Sequence, residues 1–146
     1  MNKTLLAVAV AALGLLALAP AAMLRESAAP TLTAKSSSYG RVLFDGRGYV
    51  LYAFTRDAKG RSACYGACAK AWPVYFAKGG LTAGRGVKRS LLGTTKRRDG
   101  RRQVTYAGRP LYFYVGDRRP GQILCQNVSE FGGKWLVVRP SGALVR

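Results

Sequence analysis

The hydrophobic pattern of this chain is organised around one short motif that occurs twice. Both copies read tyrosine, any residue, an aromatic residue, any two residues and aspartate, and each stands where an apolar run meets a polar turn. Alternate side chains of a strand share a face, and both faces are apolar in both copies. Each copy is therefore predicted to form a central strand that is covered on two sides. The motif residues are Tyr52, Phe54 and Asp57 in the first copy and Tyr112, Tyr114 and Asp117 in the second.

The aspartate that ends each motif has two interpretations. Asp57 and Asp117 come just past the strand, where a short carboxylate accepts backbone N–H bonds and closes an Asx-type turn. In the alternative, the two carboxylates meet across a pseudo-twofold axis and hold a cation or act as an acid–base pair. Hard cations take six or more oxygen ligands, so the sequence favours the turn.

The rest of the pattern predicts antiparallel hairpins and one short helix. Cys64, Cys68 and Trp72 are four residues apart, which places them on one face of a helix over 61–71. The other predicted strands are Arg41–Phe44 before the turn signal Asp45-Gly46, then Val74–Phe76, a meander over 94–115, and Trp135–Val138; residues 78–90 and 116–133 are predicted loops.

These elements predict a mainly β fold with a single domain, residues 39–146. It consists of two pseudo-repeats, about 41–76 and about 103–139, each built from hairpins around a tryptophan. Neither repeat alone buries both faces of its central strand, so the two halves are expected to pack together.

The N-terminal part of the chain predicts export. Residues 1–22 have the form of a secretory signal peptide, with Lys3 before an apolar run that ends at Pro20. The run is shorter than the ~20 residues that a spanning helix needs, so we expect cleavage and no transmembrane anchor afterwards. Residues 23–38 lack periodicity and predict a flexible linker.

The paired motif, together with the segments Cys64–Pro73 and Gly132–Val138, resembles the bacterial family described as a secreted repeat of unknown function, which contains predicted lipoproteins. The resemblance implies a two-repeat plan and a periplasmic or secreted location, and it implies no activity. Lipid modification needs a cysteine at the cleavage site. In this chain the first cysteine is Cys64, so the sequence departs from the lipoprotein pattern.

Three cysteines in an exported domain predict at least one oxidised pair. The resemblance implies that Cys64 and Cys68 form it, which leaves Cys125 free or paired between molecules. In the alternative arrangement, Cys125 is bonded to one of the other two. The Cys64/Cys68 pair also permits a second functional hypothesis, a small thiol-redox or Cu(I)-handling protein.

The chain contains no histidine, which excludes Ser-His-Asp and Cys-His catalysis and histidine-ligated zinc or haem. Glycine-rich phosphate loops in a strand–loop–helix setting are also missing from the sequence. We therefore predict no catalytic residue, no metal site and no cofactor, and we favour a non-catalytic binding or structural protein.

The formal net charge of +18 at pH 7 indicates an anionic partner. If Asp99-Gly100 forms a two-residue turn, Arg98 faces Arg101 and Arg97 faces Arg102. Like charges placed opposite each other destabilise a hairpin, and a local rule broken in this way often marks a functional site. The predicted anion-binding residues, for envelope polymers or other polyanions, are Lys96, Arg97, Arg98, Arg101 and Arg102.

A solvated hairpin without a ligand is the alternative interpretation of the same charge. Specific nucleic-acid recognition is not expected, because the basic run has no interleaved aromatic residues for base stacking.

Overall fold

The computed structural model describes residues 31–146. The predicted signal peptide, 1–22, and the first part of the predicted linker lie outside the described residues. Within 31–146 the elements are β1 (Leu32–Ser37), β2 (Gly40–Asp45), β3 (Tyr52–Phe54), α1 (Ala67–Ala71), a 3₁₀-helix (Arg89–Leu91), β4 (Leu92–Lys96), β5 (Arg102–Tyr106), β6 (Arg109–Pro110), β7 (Val128–Glu130) and β8 (Gly133–Val137).

The strands form three small antiparallel sheets, ordered β1-β2, β3-β8-β7 and β4-β5-β6. The prediction of a mainly β fold built from antiparallel hairpins with one short helix is confirmed. The described part of the chain contains no helix that is long and apolar enough to cross a bilayer.

The two motif copies lie side by side. Tyr52 and Tyr112 exchange both backbone N–H···O bonds at 2.9 Å, which joins the first motif strand to the second. The second copy is less regular than predicted, because β6 ends at Pro110 and Tyr112 is held by single bridges to Tyr52 and Val74. Both partners lie in the first predicted repeat, so these bridges join the second motif to the first half of the chain.

Both faces of the first motif strand are buried, as its apolar pattern predicts. Tyr52 and Phe54 belong to a core cluster that also contains Tyr112. Leu51 and Ala53 point into a second cluster on the other side of the strand. The first motif strand thus separates two layers of core, whereas in the second copy Phe113 and Tyr114 are partly buried and Val115 is exposed.

The linker prediction for 23–38 is wrong from Leu32 onward, since Leu32–Ser37 pair with β2 along their whole length. Leu32 and Ala34 are buried on one face of this strand. One leucine, one alanine and several small polar residues supply too little hydrophobic periodicity to distinguish an edge strand from a linker.

The helix prediction over 61–71 is wrong for residues 61–66. Helix α1 begins at Ala67, and Gly66 precedes it with φ +57° and ψ −126°, a conformation that glycine adopts without a Cβ penalty. Only Cys68 of the cysteine pair is therefore in the helix. The predicted loop over 116–133 is also wrong in part, because Val128–Glu130 form β7.

Candidate functional site

The tyrosine and aspartate of each motif bond across to the other copy. The hydroxyl of Tyr52 donates to Oδ2 of Asp117 at 2.7 Å. The hydroxyl of Tyr112 donates to Oδ2 of Asp57, also at 2.7 Å. The two motifs are thus joined by a reciprocal pair of buried or half-buried hydrogen bonds as well as by their backbones.

The second oxygen of each carboxylate closes a loop in its own repeat. Oδ1 of Asp57 accepts the N–H of Ala63 at 2.7 Å, and Oδ1 of Asp117 accepts the N–H of Leu124 at 3.0 Å. The predicted turn-closing role is therefore present, although the donors are six and seven residues away and the loops are longer than an Asx turn. Each carboxylate thus bonds a tyrosine of the other motif and a backbone N–H of its own repeat.

Burial changes the titration of these carboxyl groups. Desolvation raises the pKa of Asp57 to about 6, although hydrogen bonds from Ala63 and Tyr112 and the charge of Arg97 oppose the rise. Desolvation also raises the pKa of Asp117, against the hydrogen bonds that it accepts. Burial and the neighbouring carboxylate raise the pKa of Tyr52 well above its usual value. Both tyrosines therefore remain hydroxyl donors at neutral pH.

Four aromatic rings form one stack whose members alternate between the two repeats. The indoles of Trp72 and Trp135 are parallel, with ring centroids 4.0 Å apart. Phe54 of the first motif stacks on Trp135, and Tyr114 of the second lies against Trp72. Nε1 of Trp72 donates to Glu130 at 2.8 Å, whereas Nε1 of Trp135 has no partner among the described residues. The aromatic position of the motif is thus a core contact between repeats.

The predicted disulfide between Cys64 and Cys68 is confirmed, and both half-cystines are buried. Cys125 is a free, partly buried thiol, and desolvation is the main cause that raises its pKa. Within 31–146, no group of three or more His, Cys, Asp or Glu side chains could hold a metal ion.

One of the five predicted anion-binding residues has a different role. Arg97 is buried, and its guanidinium donates to Oγ of Ser62 at 2.8 Å, Oε1 of Gln103 at 2.7 Å and the carbonyl of Cys64 at 2.6 Å. Ser62 is also bonded to the Tyr112 hydroxyl. Arg97 therefore belongs to a buried network that ends at the motif, and the prediction that it binds an external anion is wrong.

The reason is the register of the hairpin. Lys96 pairs with Arg102, and the N–H of Arg97 bonds the carbonyl of Arg101 at 2.9 Å, which leaves a three-residue loop instead of the predicted two-residue turn. Gly100, with φ +82°, makes this longer loop possible. Arg97 consequently points inward, and the like-charge pair that remains is Lys96 opposite Arg102.

The other four predicted residues, Lys96, Arg98, Arg101 and Arg102, are exposed around the hairpin tip. We call them the basic tip. The guanidinium of Arg98 lies 4.6 Å from the ring centroid of Tyr65, and that of Arg101 lies 3.9 Å from Phe76. Aromatic residues from elsewhere in the chain thus support the basic run, and sequence spacing gave no sign of them.

Phe76 also lines a cleft of about 510 Å³ that sequence analysis did not predict. Tyr75 and Phe113 form its aromatic wall, with ring centroids 5.0 Å apart. Arg47 also lines the cleft and pairs with Asp45 at 2.8 Å. We call this cleft the aromatic groove.

Comparison with protein families gives one match. A family described as a secreted repeat of unknown function matches residues 33–75 and, a second time, residues 93–139. Each matched segment begins earlier than the repeat predicted from the sequence, and the first includes most of β1. Neither the curated proteins nor the solved structures contain a match to this chain.

Proposed function

The chain belongs to the family of secreted repeats of unknown function, and from that premise we propose that it is a non-catalytic binding module that attaches to anionic polymers of the cell envelope through its basic tip. The proposed location is the periplasm or the cell exterior, after removal of the signal peptide at residues 1–22. The proposal concerns adhesion, so it requires no catalytic residue.

The observation that carries the proposal is the arrangement of the basic tip. Its four basic side chains are exposed on one short hairpin, with Asp99 as the acidic residue between them. The rings of Tyr65 and Phe76 hold two of the guanidiniums in place. A guanidinium held against a ring loses less side-chain freedom when it binds an anion. Such a surface is suited to a polymer with many negative charges.

The reciprocal core explains how so small a tip can be presented rigidly. Strands β4 and β5 that carry it are tied to the motif through Arg97, whose guanidinium reaches Ser62 and, through it, the Tyr112 hydroxyl. In this proposal, the motif is the scaffold and the hairpin is the binding element. No observation favours the alternative of thiol-redox or Cu(I) handling, because Cys64 and Cys68 are buried and bonded to each other.

Retention on a heparin column tests the proposal. The variant K96A/R98A/R102A removes three charges from the tip and spares buried Arg97. The matched control R118A/R119A/R139A removes three exposed charges elsewhere. We expect the tip variant to elute at clearly lower salt than the control, because clustered charges bind a polyanion more strongly than dispersed ones. Equal elution of the two variants would contradict the proposal.

A further inference from the structure

Two Asp-Gly-Arg turns, one in the lining of the aromatic groove and one whose arginine lies over Phe76, hold their arginines in a similar way. In Asp45–Arg47, Oδ1 of the aspartate accepts the arginine N–H at 3.0 Å and Oδ2 accepts Nε at 2.8 Å. In Asp99–Arg101, the corresponding distances are 3.0 and 2.9 Å. In the second turn, Nη2 of Arg101 also donates to Oδ2 of Asp99 at 2.7 Å. Each aspartate therefore fixes the direction of its arginine, and these contacts leave both Nη atoms of Arg47 and the Nη1 atom of Arg101 without a partner.

Each of these guanidiniums also lies over an aromatic ring that lines the groove. The guanidinium carbon of Arg47 is 5.7 Å from the ring centroid of Phe113, and that of Arg101 is 3.9 Å from Phe76. The two side chains are nonetheless 70% and 64% exposed. Both charges are thus held in place by an aspartate and a ring, and both remain open to a ligand.

The groove between them has an apolar wall and a cationic rim. Tyr75, Phe76 and Phe113 supply the wall, and the lining carries two basic side chains, Arg47 and Lys78, with Asp45 paired to Arg47. Arg101 lies against Phe76 next to this lining. Its volume of about 510 Å³ lies in the range of small-molecule sites. A ligand that fits this surface has one flat apolar side and negative charges at its edges.

As an extension that rests on the proposed function, we propose that the aromatic groove binds the acidic sugar units of a polysaccharide. The C–H face of a pyranose ring would lie against Tyr75, beside the guanidinium that covers Phe113, and sugar carboxylates would accept bonds from Arg47 and Arg101. Guanidiniums bind carboxylates through paired N–H groups, and burial of C–H surface against the rings adds an apolar contribution. The basic tip, which includes Arg101, would then hold the continuation of the same chain.

The rings argue against a single-stranded nucleic acid as the occupant. Base stacking needs an open aromatic face, whereas the rings of Phe113 and Phe76 are each covered by a guanidinium. Tyr75 and Phe113 meet in a T-shaped contact with an interplanar angle of 62°, so they are not a parallel pair of rings that could enclose a base.

Titration calorimetry of the full exported protein tests the assignment. Oligogalacturonate is the carboxylated probe, and neutral dextran oligomers are the uncharged probe. A single-stranded oligonucleotide of equal charge represents the alternative class of ligand. We expect R47Q to weaken oligogalacturonate binding at least tenfold and F113L to weaken it several-fold. The control R119Q removes an exposed charge outside the groove and should bind as the wild type does. R47K keeps the charge but loses the guanidinium fork, so its affinity should lie between those of R47Q and the wild type.

The outcomes separate this inference from the proposed function. Equal oligogalacturonate affinity of R47Q and R119Q, or tighter binding of the oligonucleotide, would overturn the groove assignment even if the basic tip still controls heparin retention. Loss of tip-dependent heparin retention would remove the proposed function itself. Melting temperatures of all variants identify any that are unfolded. If R47Q is unfolded, the affinity of R47K is compared with that of the wild type instead, since R47K retains the positive charge beside Asp45.

Discussion

The hydroxyl of Tyr52 donates a 2.7 Å hydrogen bond to Asp117, the aspartate that ends the other copy of its motif, 65 residues away. Tyr112 and Asp57 form the same bond in the opposite direction, across 55 residues. The tyrosine of each motif copy is thus bonded to the aspartate of the other copy, and the two copies together form one structural unit.

We predict that removing either hydroxyl destabilises the fold, and that Y112F costs more than Y52F. The Tyr112 hydroxyl bonds both Asp57 and Ser62, whereas the Tyr52 hydroxyl has Asp117 as its main partner and a long 3.5 Å contact to the N–H of Cys125. Leaving a buried acceptor unpaired costs about 1–3 kcal/mol. Urea unfolding measures the loss.

Y39F is the matched control for both tyrosine variants, because Tyr39 is 36% exposed and lies in the turn between β1 and β2. Its unfolding free energy should remain within about 0.5 kcal/mol of the wild type. If Y112F were as stable as Y39F, the crossed bonds would not hold the repeats together.

Stability should fall as the pH rises from about 4 to about 6. The folded-state pKa of Asp57 is about 6, above the value of about 3.9 expected in the unfolded chain, so within this window the folded state binds more protons than the unfolded state. The unfolding free energy therefore decreases with pH until Asp57 is ionised and is then flat. The raised pKa of Asp117 acts in the same direction.

Urea titrations at several pH values between 4.5 and 7 check this dependence, and D57N should reduce it to the part that Asp117 contributes. The groups that face Asp57 are the Tyr112 hydroxyl, the Ala63 N–H and the charge of Arg97, all of which favour the carboxylate. The pKa of Asp99 is lowered by Arg101, so its effect appears only at more acidic pH. A stability that rises with pH across the window would show that burial of Asp57 does not dominate.

The sequence predicted features that depend on local pattern and missed those that depend on distant partners. Apolar residues at successive positions around Tyr52, on both faces of the strand, predicted a strand buried on both sides, and repetition of the motif predicted the two halves. The crossed bonds to Asp57 and Asp117 join residues far apart in sequence, so no spacing rule could indicate them. The backbone pairing of Tyr52 with Tyr112 places each tyrosine hydroxyl within hydrogen-bond distance of the aspartate of the other motif.

The prediction of the anion-binding residues was wrong for Arg97 for a similar reason. The pattern Asp99-Gly100 permits both a two-residue and a three-residue loop, and the choice decides whether Arg97 faces solvent or core. The longer loop is favoured by the buried acceptors that Arg97 reaches, Ser62 and Gln103. Gln103 lies on β5 of the same hairpin, but Ser62 is 35 residues away in sequence. Likewise, Arg47 and Phe113 are far apart in sequence and come together only in the folded chain, so the sequence pattern could not indicate the aromatic groove.

Arg97 should prove structural, in contrast to its neighbours in the hairpin. R97A leaves three acceptors without their donor, Oγ of Ser62, Oε1 of Gln103 and the carbonyl of Cys64, and we expect a loss of about 3 kcal/mol or more in unfolding free energy. R97K keeps the charge but cannot reach all three acceptors, so it should recover part of the loss. R98A, at the exposed adjacent position, should change stability by less than about 0.5 kcal/mol.

Heparin retention distinguishes a structural role of Arg97 from a role in anion binding, when it is measured at temperatures where R97K is folded. R97K should elute with the wild type, whereas removal of charge from the basic tip lowers retention. A marked loss of retention in folded R97K, without loss of stability, would assign Arg97 to the binding surface instead.

The Cys64–Cys68 disulfide should act as a local brace with a modest effect on stability. It spans a sequence separation of four residues, and cross-linking so short a loop removes little entropy from the unfolded chain, about 2 kcal/mol on the chain-entropy estimate. Reduction should therefore lower the unfolding free energy by about that amount and leave a folded protein. Reduction should also weaken the interactions of Arg97, because the carbonyl of Cys64 accepts one of its hydrogen bonds. The decreases in unfolding free energy caused by R97A and by reduction should therefore not be fully additive.

Thiol counting by mass, in denaturant with and without prior reduction, checks the disulfide state directly. One reactive thiol before reduction and three afterwards correspond to a closed Cys64–Cys68 pair with Cys125 free. C125S should then leave no thiol before reduction and an unchanged response to reductant, since the brace does not involve Cys125. A monomer with one thiol in which peptide mapping links Cys125 to Cys64 would contradict this pairing, and it would mean that the disulfide joins the two repeats instead of bracing the turn before α1.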